Sequence, residues 1–338
     1  MTYIKPYKES GGKPNVAVIT GGHSGEYEIA VQSGENIYRQ LDKNRFNVYL
    51  ILMKGNSWSY QTATGETMEV DKNDFSLPLP QGCIHFNAVF IAIHGTPGEN
   101  GKLQGYFDML GIPYVGCKAD VSALTFNKYL CNTFLKAFQV RMTDSIHRYR
   151  HEQADVEAIV SRLGLPCFVK PCGSGSSVGV TKVKNAADLQ AAMEEAFRYD
   201  DELLVERFVP GRELACGVVA FDHKPQVIAV TEIVPKKDFF DYEAKYQAGL
   251  SDEITPADIP ADLQRQCEEE SLRIYEALGC SGIVRIDYIA NEEGLYFIEV
   301  NTIPGQTSGS IVPKQLAWRG WDFSEICTRL LVELLEKE

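Results

Sequence analysis

Largely apolar runs at residues 16–19, 46–52 and 87–93 punctuate the first third of the chain and read as buried strands. The segment after the first run, to about Leu41, reads as a helix, as do residues 102–110, and a short strand follows at 112–115. An alternation of strand and helix implies a parallel sheet. Ligands bind such sheets beyond the carboxyl ends of the strands. The loops 21–26 and 94–102 occupy that rim.

A long helix at about 121–138 opens a second region, followed by a helix at 152–163, strands at 165–170 and 178–183, a helix at 186–199 and a strand at 203–206. This order describes a small α+β layer with mainly antiparallel strands. A third region has strands at 213–221 and 226–234, a polar, aromatic-rich segment at 236–253 and a helix at 261–278. An acidic hairpin over 282–300 and an amphipathic helix at 323–337 close the chain. The expected fold is therefore an N-terminal parallel α/β unit, 1–118, followed by two antiparallel-sheet α+β units, 119–208 and 209–338. No internal repeat or low-complexity tract interrupts it.

The hairpin carries the first chemistry. Strand side chains alternate faces, so Arg285 shares a face with Asp287, and Glu299 with Asn301. A three-residue loop of Glu292, Glu293 and a left-handed Gly294 sets Asp287 across from Glu299 and Arg285 across from Asn301. Facing carboxylates cost roughly 0.2–1 kcal/mol relative to a neutral pair unless a cation lies between them. Asp, Glu and Asn offer only hard oxygen ligands, which suit Mg²⁺ holding a phosphate and not zinc. The competing reading is a solvated hairpin whose charges face water; an arginine alternating with the acids on one face argues against it.

Residues 170–179, KPCGSGSSVG, form a Gly/Ser loop whose backbone N–H groups and serines can close on a phosphate. Lys170 precedes the glycines, so this is not a Walker A loop. A valine at 178 and a strand instead of a helix exclude the dinucleotide fingerprint. Taken alone, such a loop is more often a plain connection. Its company is Lys128 on the preceding helix and the strand around Glu206, Val209 and Glu213, a plausible hinge for adenine. Taken singly, Lys128 reads as a solvated helix lysine and both glutamates as surface acids.

Composition narrows the classes. The chain has 338 residues, 44% hydrophobic and 23% charged, as soluble globular proteins of two or three domains do. A net charge of −13 argues against nucleic acid and anionic membranes as partners. The first fifteen residues lack the apolar centre of a signal peptide, and no apolar run approaches the ~20 residues of a membrane span. Nine cysteines without a CxxC pair read as reduced thiols of a cytoplasmic protein, none with an assigned role.

The order Lys128, Lys170 with its loop, Glu206 to Glu213, Arg285 with Asp287 and Glu299 with Asn301 resembles the ATP-grasp fold. The flanks HSGEYE (23–28), HGTPGENGK (94–102), DYEAKY (241–246) and EVNTIPGQTS (299–308) bring the resemblance to the D-alanine–D-alanine ligase family, over nearly the whole chain. That resemblance implies two antiparallel-sheet units gripping ATP, with adenine near Glu206, Arg207 and Val209 and ribose near Glu213. Lys128, Lys170 and, on lid closure, Lys245 meet the phosphates beneath Ser177 and its loop. Asp287, Glu299 and Asn301 hold two Mg²⁺ or Mn²⁺. Glu26, in a net with Ser176 and Tyr246, holds the ammonium of the first D-alanine, with His94 near the substrate. Arg285 and the Gly305 N–H bind the oxyanion, and Ser310 and Ile311 meet the second carboxylate. The segment 236–253 becomes a lid, and the protein a cytoplasmic homodimer. Asn100 and Lys102 depart from the family pattern, which more usually has Asp and Thr there, and Arg207 replaces a common Lys. Three rivals stand beside this reading: a ligase joining D-alanine to D-lactate or D-serine, a non-catalytic nucleotide-binding protein of the same fold, and a Rossmann oxidoreductase.

Overall fold

A computed structural model describes residues 12–175, 177–235 and 251–336. The first apolar run becomes β1 (Asn15–Gly22), central in a six-stranded sheet of order β4-β3-β2-β1-β7-β8. β1 runs parallel to β2 (Asn47–Lys54) and β7 (Ala88–Ala92), and β7 runs parallel to β8 (Tyr114–Val115). Helices α1 (Tyr27–Gln40) and α2 (Lys102–Leu110) complete the β/α alternation. Gly34 lets α1 approach closely: a Cβ there would collide with the Thr20 side chain. The sheet is not wholly parallel as expected. β3 (Ser57–Gln61) and β4 (Thr67–Glu69) add an antiparallel edge, and β5 (Leu77–Leu79) pairs with β6 (Gly82–Ile84) in a separate ribbon. β3 alternates polar and aromatic residues and β4, β5 and β6 have three residues each, so none carries an apolar run long enough to announce it.

The long helix expected at 121–138 is two helices, α3 (Ala119–Phe126) and α4 (Lys128–Lys136). Asn127 breaks them with extended backbone, φ −86° and ψ 106°, and its side chain accepts the Leu130 N–H as the N-cap of α4. The break sets Lys128 on the first turn of α4, beside the loop it serves. A four-stranded antiparallel sheet of order β11-β10-β12-β9 follows, built from β9 (Ser145–Tyr149), β10 (Cys167–Pro171), β11 (Thr181–Val183) and β12 (Glu202–Arg207). α5 (Val156–Leu163) and α6 (Leu189–Ala196) close its core with Ile159, Leu163, Leu189 and Met193.

The last sheet has the order β15-β14-β13-β16-β17, from β13 (Arg212–Phe221), β14 (Lys224–Pro235), β15 (Ser251–Ile254), β16 (Ile283–Asn291) and β17 (Gly294–Asn301). α7 (Ala261–Leu278) packs on it through Ile274 and Tyr275, and Cys131 and Leu135 of α4 join the same core. α8 (Ile311–Arg319), which the sequence did not signal, and α9 (Phe323–Glu336) end the described chain. In the hairpin, Arg285 pairs with Asn301 and Asp287 with Glu299, as expected. The route differs: Asn291 pairs with Gly294, which leaves two residues in the turn, and the register shifts between Asp287 and Tyr288.

Candidate active site

A cleft of about 410 Å³ opens between the four- and five-stranded sheets. Phe168, Phe208, Val180, Ile289 and Ile298 give it apolar walls, and Arg207, Val209 and Glu213 stand on its rim. At its polar end, the Lys170 Nζ lies 2.6 Å from Glu206 Oε2. Burial opposes the charge on Lys170, but Glu206, with Glu299 and Glu213 beyond, outweighs it and raises the pKa of the amine. The Lys128 ammonium donates to the Ser174 carbonyl at 2.6 Å and stands 3.7 Å from Glu299 Oε2. The Gly/Ser loop is held by Asp200, whose Oδ2 accepts the Gly173 N–H at 2.6 Å, and by the Ser174 hydroxyl donating to the Val178 carbonyl. Ser177 lines the cleft at φ 58°, the left-handed region that a serine adopts only under constraint.

Across the hairpin, Arg285 grips Asp287 with a two-pronged pair of hydrogen bonds, both 2.8 Å. The Asn301 amide donates to Asp287 Oδ2 at 3.0 Å. Arg285 and Lys128 therefore supply counter-charges that let the two facing acids coexist. The donor set at the cleft end is carboxylate, carboxylate and amide, all hard oxygens, and it suits a magnesium-class ion.

The rim loops of the first sheet meet the segment after β17. His94 is buried, with Nδ1 2.8 Å from the Ile303 carbonyl and Nε2 2.9 Å from the Ser33 hydroxyl. Burial lowers its pKa, which Glu26 opposes and Arg285 reinforces. A carbonyl only accepts, so a neutral His94 carries its proton on Nδ1, and Nε2 accepts from Ser33. The Ser33 oxygen in turn accepts the Gln306 N–H at 3.2 Å, and the Asn36 amide donates to the Gln306 carbonyl at 2.7 Å. Residues 303–306 are thereby tied to α1. His23, by contrast, is exposed, its Nε2 3.1 Å from the Gly55 carbonyl.

Glu26 opens α1 and is buried. Ser24 sets the turn before it, donating to the His94 carbonyl at 2.9 Å and accepting the Glu26 N–H at 3.2 Å. The Gly/Ser loop reaches this acid: a Cβ on Gly175 would lie 2.6 Å from Glu26 Oε2. Gly305 is equally pressed, with a Cβ there falling 2.7 Å from the Ser310 hydroxyl. Ser310 is the N-cap position of α8, exchanges a 2.8 Å hydrogen bond with the Thr307 hydroxyl, and puts Ile311 at the helix start. Asn100 and Lys102 keep their loop in shape: the Asn100 amide donates to the Thr96 hydroxyl at 3.0 Å, and the Lys102 N–H is directed at Asn100 Oδ1. Ser176, Lys245 and Tyr246 lie outside the described residues.

Sequence reasoning missed Glu99. Its carboxylate accepts the Gly95 N–H at 2.7 Å and the Ile303 N–H at 3.3 Å, linking the first sheet's rim to the loop after β17. Burial first, and Glu26 next, push its pKa up to about 8. The signal was an acid inside a glycine-rich rim loop, but its partner, 204 residues away, is visible only in the fold.

Two antiparallel sheets closing on a cleft with paired lysines and cross-strand acids define an ATP-grasp protein. Residues 15–117 match the family description D-ala D-ala ligase N-terminus, and residues 135–332 match D-ala D-ala ligase C-terminus. The chain belongs to the D-alanine–D-alanine ligase family. It is 44% identical over 325 residues to the D-alanine–D-alanine ligase of Parabacteroides distasonis, covering 96% of this chain and 98% of that one. The corresponding ligase of Porphyromonas gingivalis W83 is 45% identical, at 94% and 96% coverage. Among solved structures, D-alanyl-alanine synthetase A from Vibrio cholerae superposes with a TM-score of 0.87 at 29% identity, covering 96% of this chain and 99% of that one. The VanG D-Ala:D-Ser ligase from Enterococcus faecalis superposes at 0.86 with 33% identity, covering 96% and 100%.

Proposed function

We infer that this chain is an ATP-dependent D-alanine–D-alanine ligase that makes D-alanyl-D-alanine for peptidoglycan precursors. The observation that carries the reading is the cleft itself, where Lys128 and Lys170 face Asp287 and Glu299 across the join of two sheets. Adenine fits between Phe168, Val180 and Ile289, near Glu206 and Val209, with ribose at Glu213. Lys128, Lys170 and the Ser177 loop take the phosphates, assisted by Lys245. Asp287, Glu299 and Asn301 hold two divalent ions, Mg²⁺ or Mn²⁺, which neutralise phosphate charge when bound.

A carboxylate is a poor electrophile. The first D-alanine carboxylate oxygen therefore attacks the γ-phosphorus, the bond to the β-phosphate oxygen breaks, and ADP leaves behind an acyl phosphate. Glu26, with Ser176 and Tyr246, receives the ammonium of that D-alanine, and neutral His94 shapes the floor beside it. The amine of the second D-alanine attacks the acyl carbon, inorganic phosphate departs with the bonding electrons, and the amine proton is lost to solvent. Two of Arg285's five N–H donors are committed to Asp287. With the Gly305 N–H, the guanidinium stabilises the oxyanion, a kind of contact worth about 2.7–4 kcal/mol. Ser310 and the start of α8 at Ile311 favour the second carboxylate, because helix N-termini attract anions.

The domain limits 1–118, 119–208 and 209–338, the homodimer and the cytoplasmic location complete the proposal. Among the described residues no helix is long and apolar enough to cross a membrane. The test is phosphate release from Mg·ATP with D-alanine, L-alanine, D-serine and D-lactate supplied singly and mixed with D-alanine, products identified by mass. D-alanine-dependent release yielding D-alanyl-D-alanine supports the reading. A mixed product assigns the D-serine or D-lactate class, and no release with any acceptor refutes the ligase assignment.

A further inference from the structure

Beside the root of the Gly/Ser loop, three side chains that the ligation chemistry leaves unused converge. His147 lies on β9, Glu202 begins β12, and Cys172 follows the last residue of β10. Tyr149 pairs with Glu202 and His147 with Leu204, so His147 and Glu202 are diagonal neighbours on one face. Pro171 pairs with Leu203, and the Cys172 N–H continues that ladder by donating to the Glu202 carbonyl at 3.0 Å, which puts Cys172 opposite Glu202 on the same face. His147 Nε2 lies 2.9 Å from Glu202 Oε2, and the three ligand atoms all lie within 4.8 Å of one another.

The surroundings favour ligation. The Tyr129 ring stacks on the imidazole at 3.8 Å and 6°, fixing its plane. Burial first, and then the Glu202 and Asp200 charges, push the Cys172 thiol up to about 12, against a smaller opposing pull from the Lys128 charge and the Tyr129 N–H at the start of α4. A metal supplies the compensation that burial withholds from a bare thiolate. The His147 and Glu202 side chains keep 13% and 27% of their exposure, so water reaches the cluster from that side.

We propose that His147, Cys172 and Glu202 form a binding site for a zinc-class transition ion, with a fourth position left to water. Thiolate, imidazole and carboxylate together are the donors of zinc and cobalt, whereas magnesium takes oxygen alone. On binding, the Cys172 thiol gives its proton to solvent, the His147 proton that Nε2 shares with Glu202 passes through solvent to Nδ1, and Sγ, Nε2 and Oε2 each donate a lone pair to the ion. Tetrahedral bonds of about 2.0–2.3 Å hold ligand atoms roughly 3.3–3.8 Å apart. The 2.9 Å His147–Glu202 contact therefore opens slightly on binding. The donor set separates this site from the all-oxygen set at Asp287, Glu299 and Asn301.

The test is titration of the chelator-treated full chain with Co²⁺ in excess Mg²⁺, followed by absorption. The expected result is one equivalent bound with a thiolate-to-cobalt charge-transfer band, bleached by Zn²⁺. Cys172→Ser removes the band. His147→Asn and Glu202→Gln keep it but weaken Co²⁺ at least about tenfold, since even outer partners of a metal are worth 10–100-fold. No band in the wild-type chain, a band that survives Cys172→Ser, or a band abolished by excess Mg²⁺ overturns the proposal. If Cys172→Ser does not fold by circular dichroism, the other two variants decide, and unchanged Co²⁺ affinity in both overturns it.

Discussion

Replacing Gly175 with alanine asks whether the phosphate loop and Glu26 share one substrate pocket. The new Cβ would stand 2.6 Å from Glu26 Oε2, about 0.8 Å short of the 3.4 Å at which ordinary contact begins. Gly175 does not have a left-handed φ, so alanine strains no backbone there. The Glu26 backbone is fixed at the start of α1, so its carboxylate must swing by nearly an ångström. A misplacement of that size in a positioning group costs up to about 10²-fold in rate, or about 2.7 kcal/mol of transition-state stabilisation. Initial rates of phosphate release at saturating Mg·ATP, with D-alanine varied, should show kcat/KM falling about 10- to 100-fold. The proposed function also sets this loop against ATP, so the decisive comparison is a double-mutant cycle. In a Glu26→Ala background no carboxylate remains to be displaced, and adding Gly175→Ala should then cost less than about threefold, a coupling of 0.5–3 kcal/mol. Equal losses in both backgrounds would place the effect in the loop's grip on nucleotide and refute the reasoning.

Glu99 predicts a pH dependence. Burial and Glu26 raise it from the usual 4.5 to about 8 in the fold, so its stabilising contribution is full below 4.5 and is lost as pH rises through 8. In metal-free protein the urea midpoint should fall between pH 7 and 9, above the range where His94 titrates on unfolding, and Glu99→Gln should flatten that fall; an unchanged slope sinks the assignment. Lys170→Met leaves Glu206 buried beside the cleft without its 2.6 Å partner, which should cost about 1–3 kcal/mol in urea unfolding and raise the Kd for ATP. An unchanged Kd removes Lys170 from the phosphate site. Alanine at Asp287, Glu299 and Asn301 together should reduce ATP turnover to background, as should a chelator, with Mg²⁺ or Mn²⁺ restoring only the chelated wild type; turnover that persists in the triple variant excludes these residues as the metal site.

What the sequence made legible follows from how local each cause is. Buried parallel strands such as β1 and β7 are continuous apolar runs, and α2 falls at the expected residues because its signal is complete within one segment. The break at Asn127 hides because buried positions at Val121, Thr125, Asn132 and Leu135 keep one helical spacing across it, and only a capping side chain separates α3 from α4. β9 escaped because its sequence, SIHRY, serves a metal-type cluster on one face and a core through Ile146 on the other. Lys170 stood out beside the Gly/Ser loop and Glu206 only through the family resemblance, whereas Ser33, Glu99 and Gln306 act only through partners far along the chain.

The hairpin holds the sharper lesson, because the expected pairs are right and the expected turn is wrong. With two residues in the turn, uninterrupted pairing would set Asp287 against Ile298 and turn Glu299 to the opposite face, toward the core under α7. The observed ladder runs Asn291 to Gly294 and Tyr288 to Phe297, then skips Ile298 and resumes at Asp287 to Glu299. A bulge of one residue resets the parity of the strand. Ile298 and Glu299 consequently both line the cleft, while Phe297 and Val300 stay in the core. A shorter turn and a bulge together reproduce the register that a three-residue loop alone would give. The bulge thus brings Glu299 to the cleft and Asn301 to Asp287, and β-bulges commonly lie next to a site that needs a side chain re-aimed. Deleting Ile298 would leave the hairpin able to pair throughout but would put Glu299 directly after Phe297, at a position where the turn and the acid pair still agree only if the strand loses its bulge. Such a variant should therefore keep the Asp287–Glu299 pairing while losing one apolar wall of the cleft, so nucleotide affinity should fall more than metal-dependent turnover at saturating ATP. The reverse order of effects would show that the bulge, and not the pairing it restores, sets the geometry of the acids.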